Sequence, residues 1–178
     1  MEPYIQISKI NDFLYSPQSL YLHSVFESFS TETYHEEPQI VGKLNHANID
    51  NGTYSTAKRY LQGLSVYSEK YNIGGKIDIY DTVHKSLCER KTLVKGIYDG
   101  LIYQLYAQML CLQEMGHEVK SLEIQSLNNN KHYLIGRPTN LEIKKFEDVL
   151  ERMRNYDPFQ EDNNVFRCDL SIYRHLSY

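Results

Sequence analysis

Apolar and polar positions change period twice along this 178-residue chain. From Ser8 to Phe26, the residues Ile10, Phe13, Leu14, Leu20, Leu22 and Phe26 recur at helical spacing and predict two helical pieces. They part at Ser16-Pro17, because proline disfavours helical backbone in the residue before it. Ser28 to Pro38 is polar and acidic and reads as a loop. Val41 to about Leu61 reads as a weaker helical stretch broken near Asn51-Gly52. The period then falls to two. Leu64 to Tyr71, Lys76 to Tyr80 and Ser86 to Thr92 read as three strands of an antiparallel meander, with turns at Asn72 to Gly74 and Asp81 to Lys85. Helical spacing returns from Ile97 to Met115 and stops at Gly116, a residue suited to a helix C-terminus. Val119 to Leu127 and His132 to Gly136 make a hairpin around Asn128-Asn129-Asn130. Thr139 opens a last helix, with Glu142 completing a capping box and Ile143, Phe146, Leu150 and Met153 on its core face. The order predicts an α/β fold, a mixed β-sheet flanked by helices. We expect one domain over residues 1–178, with 158–178 a polar, partly ordered tail.

Composition narrows the classes. Hydrophobic residues make 41% and charged residues 24%, which is globular rather than disordered. No apolar run reaches the length of a membrane span, and Met-Glu-Pro-Tyr lacks the basic flank and apolar stretch of a signal peptide. Cys88, Cys111 and Cys168 are odd in number and far apart. They fit a reducing cytoplasm and exclude a disulfide scaffold. A net charge of −4 means that any nucleic-acid binding must come from a local patch.

The chemistry gathers in the middle of the chain. Asp78 lies between Ile77 and Ile79, and Glu89 and Lys91 stand two apart on the following strand, so the last two share one face. A short turn between antiparallel neighbours can bring both carboxylates to one point. Two carboxylates suit a hard cation, Mg²⁺ or Mn²⁺, and a lysine beside them can stabilise charge developing on a phosphate. The plain alternative is three solvated charges on an exposed strand face. Gly75 just upstream allows close backbone approach. His46 offers an imidazole as a third ligand, or is simply a structural histidine. Gln104 and Gln108 stand one turn apart on the stripe of Ile97, Leu101 and Leu112. If buried, each needs a partner, such as the carboxylate–lysine cluster or a DNA backbone. Tyr98, Tyr103 and Tyr106 can stack on unpaired bases or pack in the core. Lys144, Lys145, Arg152 and Arg154 can form a phosphate-facing strip or a solvated helix face.

Gly42-x-x-x-His46, Gly75-Lys76-Ile77-Asp78, Glu89-Arg90-Lys91 and Gln104-Leu105-x-x-Gln108-x-x-Cys111-Leu112-x-Glu114-Met115 resemble, in order and spacing, the motifs of RecB-like PD-(D/E)XK nucleases. The CRISPR-associated Cas-four exonucleases, which assist spacer acquisition, are the nearest resemblance. Leu14-Tyr15-Ser16-Pro17-Gln18-Ser19-Leu20-Tyr21-Leu22 is similar to that family's opening Y-C-P-R-x-x-Y-L. The resemblance runs from about Ile7 to Arg154. It implies a restriction-endonuclease-like core and metal-dependent cleavage of DNA with single-stranded overhangs. It further implies end processing for the CRISPR integrase subunits Cas-one and Cas-two. It assigns His46, Asp78, Glu89 and the carbonyl of Arg90 to one Mg²⁺ or Mn²⁺. Asp78, Glu89, Lys91 and Gln104 would be catalytic, with Gln104, Gln108 and Tyr103 meeting the substrate.

The family commonly holds an iron–sulfur cluster with one cysteine in its opening motif and three near the C-terminus. Here Ser16 stands at the first of these positions and only Cys168 lies near the end, too few for an all-cysteine cluster. We therefore expect no iron–sulfur cluster. The N-terminal helices and the tail should instead be joined by packing of Phe166, Leu170 and Tyr173. Two other roles fit the same residues: a RecB-like nuclease of DNA repair or restriction, and a non-catalytic adaptor of the integrase.

Overall fold

The computed structural model describes residues 4–18, 20–21 and 57–158. The readings on 22–56 and 159–178, including the loop at Ser28 to Pro38, His46 and the tail residues Phe166, Cys168, Leu170 and Tyr173, lie outside the described residues. In chain order the elements are β1 (Ile5–Gln6), α1 (Ile7–Tyr15), β2 (Tyr60–Gln62), β3 (Ser65–Ser68), β4 (Ile73–Lys76), β5 (Ile79–Asp81), β6 (Ser86–Lys91), α2 (Asp99–Glu114), β7 (Ser121–Ser126), β8 (Lys131–Ile135) and α3 (Asn140–Arg154).

The meander read from the sequence is divided between two sheets, ordered β1-β4-β3 and β2-β5-β6-β7-β8. One long hairpin crosses from the first to the second. Its strands β3 and β4 pair in the small sheet, and its strands β2 and β5 pair in the large one. Between them the chain bends at Gly63-Leu64 and opposite it at Ile77-Asp78. Two bonds carry the ladder across the bend: Gly63 N–H donates to the Asp78 carbonyl at 3.2 Å, and Ile77 N–H to the Leu64 carbonyl at 3.0 Å. Gly63 has φ +58°, the left-handed conformation of a bulge residue, which only glycine adopts freely. Lys76 to Tyr80 is therefore not one strand. Asp78 sits at the crossing between two, where alternation continues but ladder pairing changes partner.

The end of the weak helical stretch is also corrected, since Tyr60 and Leu61 are in β2 and face Asp81 and Tyr80. A three-residue strand is too short for alternation to distinguish it from a helix end. Elsewhere the predicted elements stand within a few residues of their places. Helix α1 stops before Pro17, with Ser16 extended at φ −159°. Gly116 follows α2 at φ +89°. Thr139 and Glu142 form the reciprocal capping box at α3. On α3, Val149 is buried as well as Phe146, Leu150 and Met153, and Ile143 is only half-buried.

Strand β6 pairs parallel with β7, and α2 is the crossover between them, as parallel neighbours require. This helix is buried on nearly all sides. Leu101, Leu105, Leu112, Ala107 and Cys111 lie in the core with Leu87, Leu122 and Ile124 of the large sheet. On other sides α1 brings Ile7, Ile10 and Phe13, and α3 brings Phe146 and Leu150. Gly75 on β4 lets α1 approach, because a Cβ there would lie 3.1 Å from that of Ile7. The polar Gln104 and Gln108 are thus carried into an apolar centre, and the small sheet is pinned against the helix that carries them.

The turn after β5 is held by one carboxylate. Asp81 accepts from the backbone N–H groups of Val83 and His84, from His84 Nδ1 at 2.9 Å, and faces Arg59 at 3.6 Å. Burial works against its charge, but the His84 bonds, then Val83 and Arg59, outweigh it and hold the pKa at about 2, below the ordinary 3.8. A depressed carboxylate stabilises the fold above its unfolded pKa and loses that contribution as pH falls through the folded value. Asp81→Asn should therefore cost about 1–2 kcal/mol at pH 7, allowing for solvent screening. Urea unfolding should show that gap closing between pH 5 and pH 2.

Candidate active site

Antiparallel pairing of β5 with β6 sets Ile79 opposite Cys88. Asp78, one step beyond this pair, comes level with Glu89. The ladder ends there, and the Asp78 side chain takes over from the backbone: Oδ2 accepts the Arg90 N–H at 2.7 Å. In an extended strand the N–H and C=O of one residue point to the same side, so the Arg90 carbonyl faces the gap that Asp78 occupies. The sheet crossing thereby leaves a break in the large sheet's ladder, a notch in its hydrogen bonding with the Asp78 carboxylate on one side and strand β6 on the other.

Along β6, Leu87 and Glu89 point inward toward α2, and Lys91 follows on the same face at the rim. Asp78 is 7% exposed and Glu89 only 3%. The Lys91 ammonium lies 2.8 Å from Glu89 Oε1, its side chain 27% exposed. Gln104 bridges the pair, donating Nε2 to Glu89 Oε1 at 3.0 Å and accepting from Lys91 Nζ at 3.2 Å. One turn deeper, Gln108 donates Nε2 to Glu89 Oε2 at 2.8 Å and to the Lys76 carbonyl at 3.4 Å. Burial disfavours the Lys91 ammonium, yet Glu89 beside it, with Asp78 behind, holds its pKa above the ordinary lysine value. Lys91 is a positive charge at neutral pH, held by the buried Glu89 carboxylate.

The structure brings Asp78, Glu89, Arg90, Lys91, Gln104 and Gln108 together. Other candidates fall elsewhere. Gln108, read as a substrate contact, is 1% exposed behind Glu89 and out of reach of a bound strand. Tyr103 turns away into the seam between α2 and α3, its ring 5.9 Å from that of Phe146. Tyr106 donates its hydroxyl to the Gly136 carbonyl. Tyr98, just before α2, is exposed. In the basic strip, Arg154 donates to the Tyr71 carbonyl at 2.5 Å, whereas Lys144, Lys145 and Arg152 line a cleft of about 410 Å³ with Tyr103, Asp99 and Asp148. Cys88 faces away from Glu89, its thiol beside Glu123, and burial with the surrounding carboxylates pushes its pKa up to about 12. Burial raises Cys111 to about 12 as well. Sequence reasoning missed the Arg90 N–H and the Lys76 carbonyl as partners, since backbone groups leave no mark on side-chain spacing.

Among the described residues no group of three His, Cys, Asp or Glu side chains converges as a metal cage. The donor set suits a smaller demand. Mg²⁺ and Mn²⁺ take hard oxygen donors, and Mg²⁺ keeps several of its waters, so two carboxylates and a carbonyl on a notch are an appropriate protein share. Glu89 also has room. Three of its four acceptor sites are filled by Lys91, Gln104 and Gln108, leaving one on Oε2.

No family model and no curated protein matches the chain. Solved structures do. SSO0001 superposes with a TM-score of 0.63 at 14% identity, over 99% of this chain and 87% of its own. LHK-Exo, solved in complex with dAMP, superposes at 0.52 and 13% identity, over 85% of this chain and 86% of its own. The chain shares its fold with these two proteins. Its mixed sheet flanked by helices is the restriction-endonuclease-like core, and the likeness is one of fold. Within that fold the Asp78–Glu89–Lys91 group lies where the large sheet is interrupted, at the junction of the two sheets. No helix among the described residues is long and apolar enough to cross a membrane.

Proposed function

We propose that the chain is a DNA nuclease dependent on Mg²⁺ or Mn²⁺. It processes the ends of DNA carrying single-stranded overhangs, and those ends are prespacers destined for a CRISPR integrase of Cas-one and Cas-two subunits. The observation that carries the cleavage reading is the convergence of Asp78, Glu89 and Lys91, the last two as an ion pair whose carboxylate is buried, at an interruption in the sheet. A nuclease fold shared with a protein solved in complex with a nucleotide supports it. The resemblance of the motifs to Cas-four nucleases supports the CRISPR role. The cytoplasmic setting rests on the sparse cysteines, which are also the reason that no iron–sulfur cluster is part of this reading.

In this reading Asp78, Glu89, the Arg90 carbonyl and His46 would hold the cation, which would supply charge neutralisation at the phosphate and a more acidic water. The protein does the rest. Lys91 presents its ammonium to the scissile phosphate, where negative charge grows in the transition state. Gln104 fixes the lysine by accepting from Nζ and fixes Glu89 by donating to Oε1. A merely binding adaptor has no use for a buried ion pair of this kind, and a repair or restriction nuclease would use the same site on other DNA.

The test is cleavage of an end-labelled duplex with single-stranded overhangs, with Mn²⁺, Mg²⁺ or chelator. Cleavage should require the metal, and Cas-one and Cas-two should co-purify with the chain. Metal-independent cleavage would remove the metal from the reading, and no cleavage in any condition would remove the enzymatic reading. Co-purification with repair factors alone would move the role to repair. The cleft beside α3 carries a further expectation. Lys144→Ala with Lys145→Ala should weaken DNA binding severalfold and lower the slope of log affinity against log salt by about 2, one for each phosphate no longer neutralised. Filter binding across a salt series measures it.

A further inference from the structure

Of the three tyrosines that spacing offered for base stacking, Tyr103 packs against Phe146 and Tyr106 bonds the Gly136 carbonyl, whereas Tyr98 is 53% exposed. Tyr98 also stands where helix stability alone would place a different residue. It is the N-cap of α2, a position that favours Ser, Thr, Asp or Asn, whose side chains accept from the helix's first free N–H groups. Tyr98 makes no side-chain capping bond, while Thr139 at the head of α3 makes a full capping box. The ring therefore does nothing for the helix and leaves aromatic surface in water.

That surface lies at the rim of the Asp78–Glu89–Lys91 group. Strand β6 ends at Lys91, and the chain leaving it is held by Val94, which is buried and donates its N–H to Ser126 Oγ at 3.1 Å. The connection ends at Tyr98, whose carbonyl accepts from Leu101 and Ile102, and α2 then carries Gln104 back to Lys91. Tyr98 is near enough that its hydroxyl is among the groups acting electrostatically on the Lys91 ammonium. Leu93, Lys95 and Ile97 of the same connection are exposed as well. The rim thus combines a flat aromatic ring and two aliphatic side chains with a lysine at each side of Leu93.

We propose that Tyr98 is a substrate-binding residue whose ring stacks on an unpaired nucleobase at a DNA end, beside the phosphate that Lys91 meets, with Leu93 and Ile97 extending the apolar seat. The proposal rests on the nuclease reading above and names the part of the substrate that the rim takes. A nucleotide joins an anionic phosphate to a flat base, and the rim sets a cation beside a flat ring. An unpaired base can turn its face onto that ring while its phosphate stays at the lysine. A paired base is held by its partner and cannot.

The test uses the full chain with chelator present, so that no strand is cut, and a duplex carrying 2-aminopurine at each overhang position in turn. The chain has no tryptophan to obscure the signal. At one position or more, wild type should quench the probe, and Tyr98→Ser should not. Affinity for the overhang duplex should fall about five- to twentyfold in Tyr98→Ser and Tyr98→Ala, the range of one lost stacking contact, and by less than about twofold for a blunt duplex. Tyr98→Phe keeps the ring and should stay within about twofold of wild type on both. Tyr98→Ser installs a good N-cap, so its melting temperature should not fall, and lost affinity then cannot be lost folding. Wild-type affinity in Tyr98→Ser, no quenching at any position, an equal loss on overhang and blunt DNA, or Tyr98→Phe behaving like the serine variant would each overturn the proposal. All four leave the nuclease reading standing, because cleavage with Mn²⁺ or Mg²⁺ decides that separately. A wild-type chain that neither binds nor cuts DNA would overturn both.

Discussion

Asp78→Asn should reduce cleavage by at least three decades and leave the melting temperature within a few degrees of wild type. In the proposed reading several kcal/mol of transition-state stabilisation would depend on a cation that this carboxylate would help to hold, and a neutral amide is a poor anchor for it. The asparagine is chosen because Asp78 has a second duty. Its Oδ2 accepts the Arg90 N–H where the ladder ends, and an asparagine oxygen can take the same bond. Asp78→Ala cannot. From charge alone, removing one of two clustered anions relieves repulsion and costs no stability. The structure changes that expectation, because alanine strands a buried N–H at a cost of about 1–3 kcal/mol. In a chain of this size that lowers the melting temperature by very roughly 2–10 °C. Cleavage and thermal unfolding of the two variants therefore separate the chemical role from the structural one. Asp78→Asn cleaving within tenfold of wild type would remove Asp78 from the metal site.

The division between what could and could not be read from the sequence follows the same lines. Glu89 and Lys91 were legible as a unit because strand alternation puts i and i+2 on one face, and the structure pairs them at 2.8 Å. Gln104 and Gln108 were legible as neighbours because they are one helical turn apart, and the need of a buried amide for a partner left the carboxylate–lysine cluster or a DNA backbone, of which the structure shows the carboxylate. What spacing could not tell was depth. Gln104 sits at the lysine and Gln108 behind the carboxylate, so a substrate contact and a positioning contact look alike in one dimension. The strand crossing at Ile77-Asp78 was hidden for a related reason. Ile77 and Ile79 are buried on either side of it, so the apolar alternation runs through a point where the hydrogen-bond partner changes. Gly63, opposite, was the available signal, since a glycine inside a strand pattern marks a bulge. Strands β1 and β2, of two and three residues, are shorter than any period they could display.

Lys91→Ala should lose about two to three decades in cleavage rate, or roughly 3–4 kcal/mol of transition-state stabilisation, while keeping most of the affinity for overhang DNA. Affinity is spread over many phosphate contacts, whereas the transition state has one place where charge accumulates. The environment of Lys91 determines what kind of catalyst it can be. Glu89 raises its pKa above the ordinary lysine value, so it stays protonated through neutral pH and cannot serve as the general base. The rate–pH profile of wild type should accordingly show no step attributable to this lysine below about pH 10. A raised pKa also means that the ammonium's contribution to the fold is in place at neutral pH and is lost as pH rises through the folded value. Removing the ammonium leaves Glu89 buried with only the two glutamine amides for compensation, so Lys91→Ala should also be less stable than wild type. Lys91→Met with Glu89→Gln removes both charges and should restore that stability without restoring cleavage, since loss of a whole buried pair is often neutral where loss of half is not. Lys91→Arg should rescue poorly, because a planar guanidinium cannot both sit 2.8 Å from Glu89 and accept the geometry that Gln104 imposes on a compact ammonium. Single-turnover rates at saturating metal and DNA, read beside urea unfolding of the same variants, decide it: wild-type rates in Lys91→Ala would take the catalytic role away from this lysine.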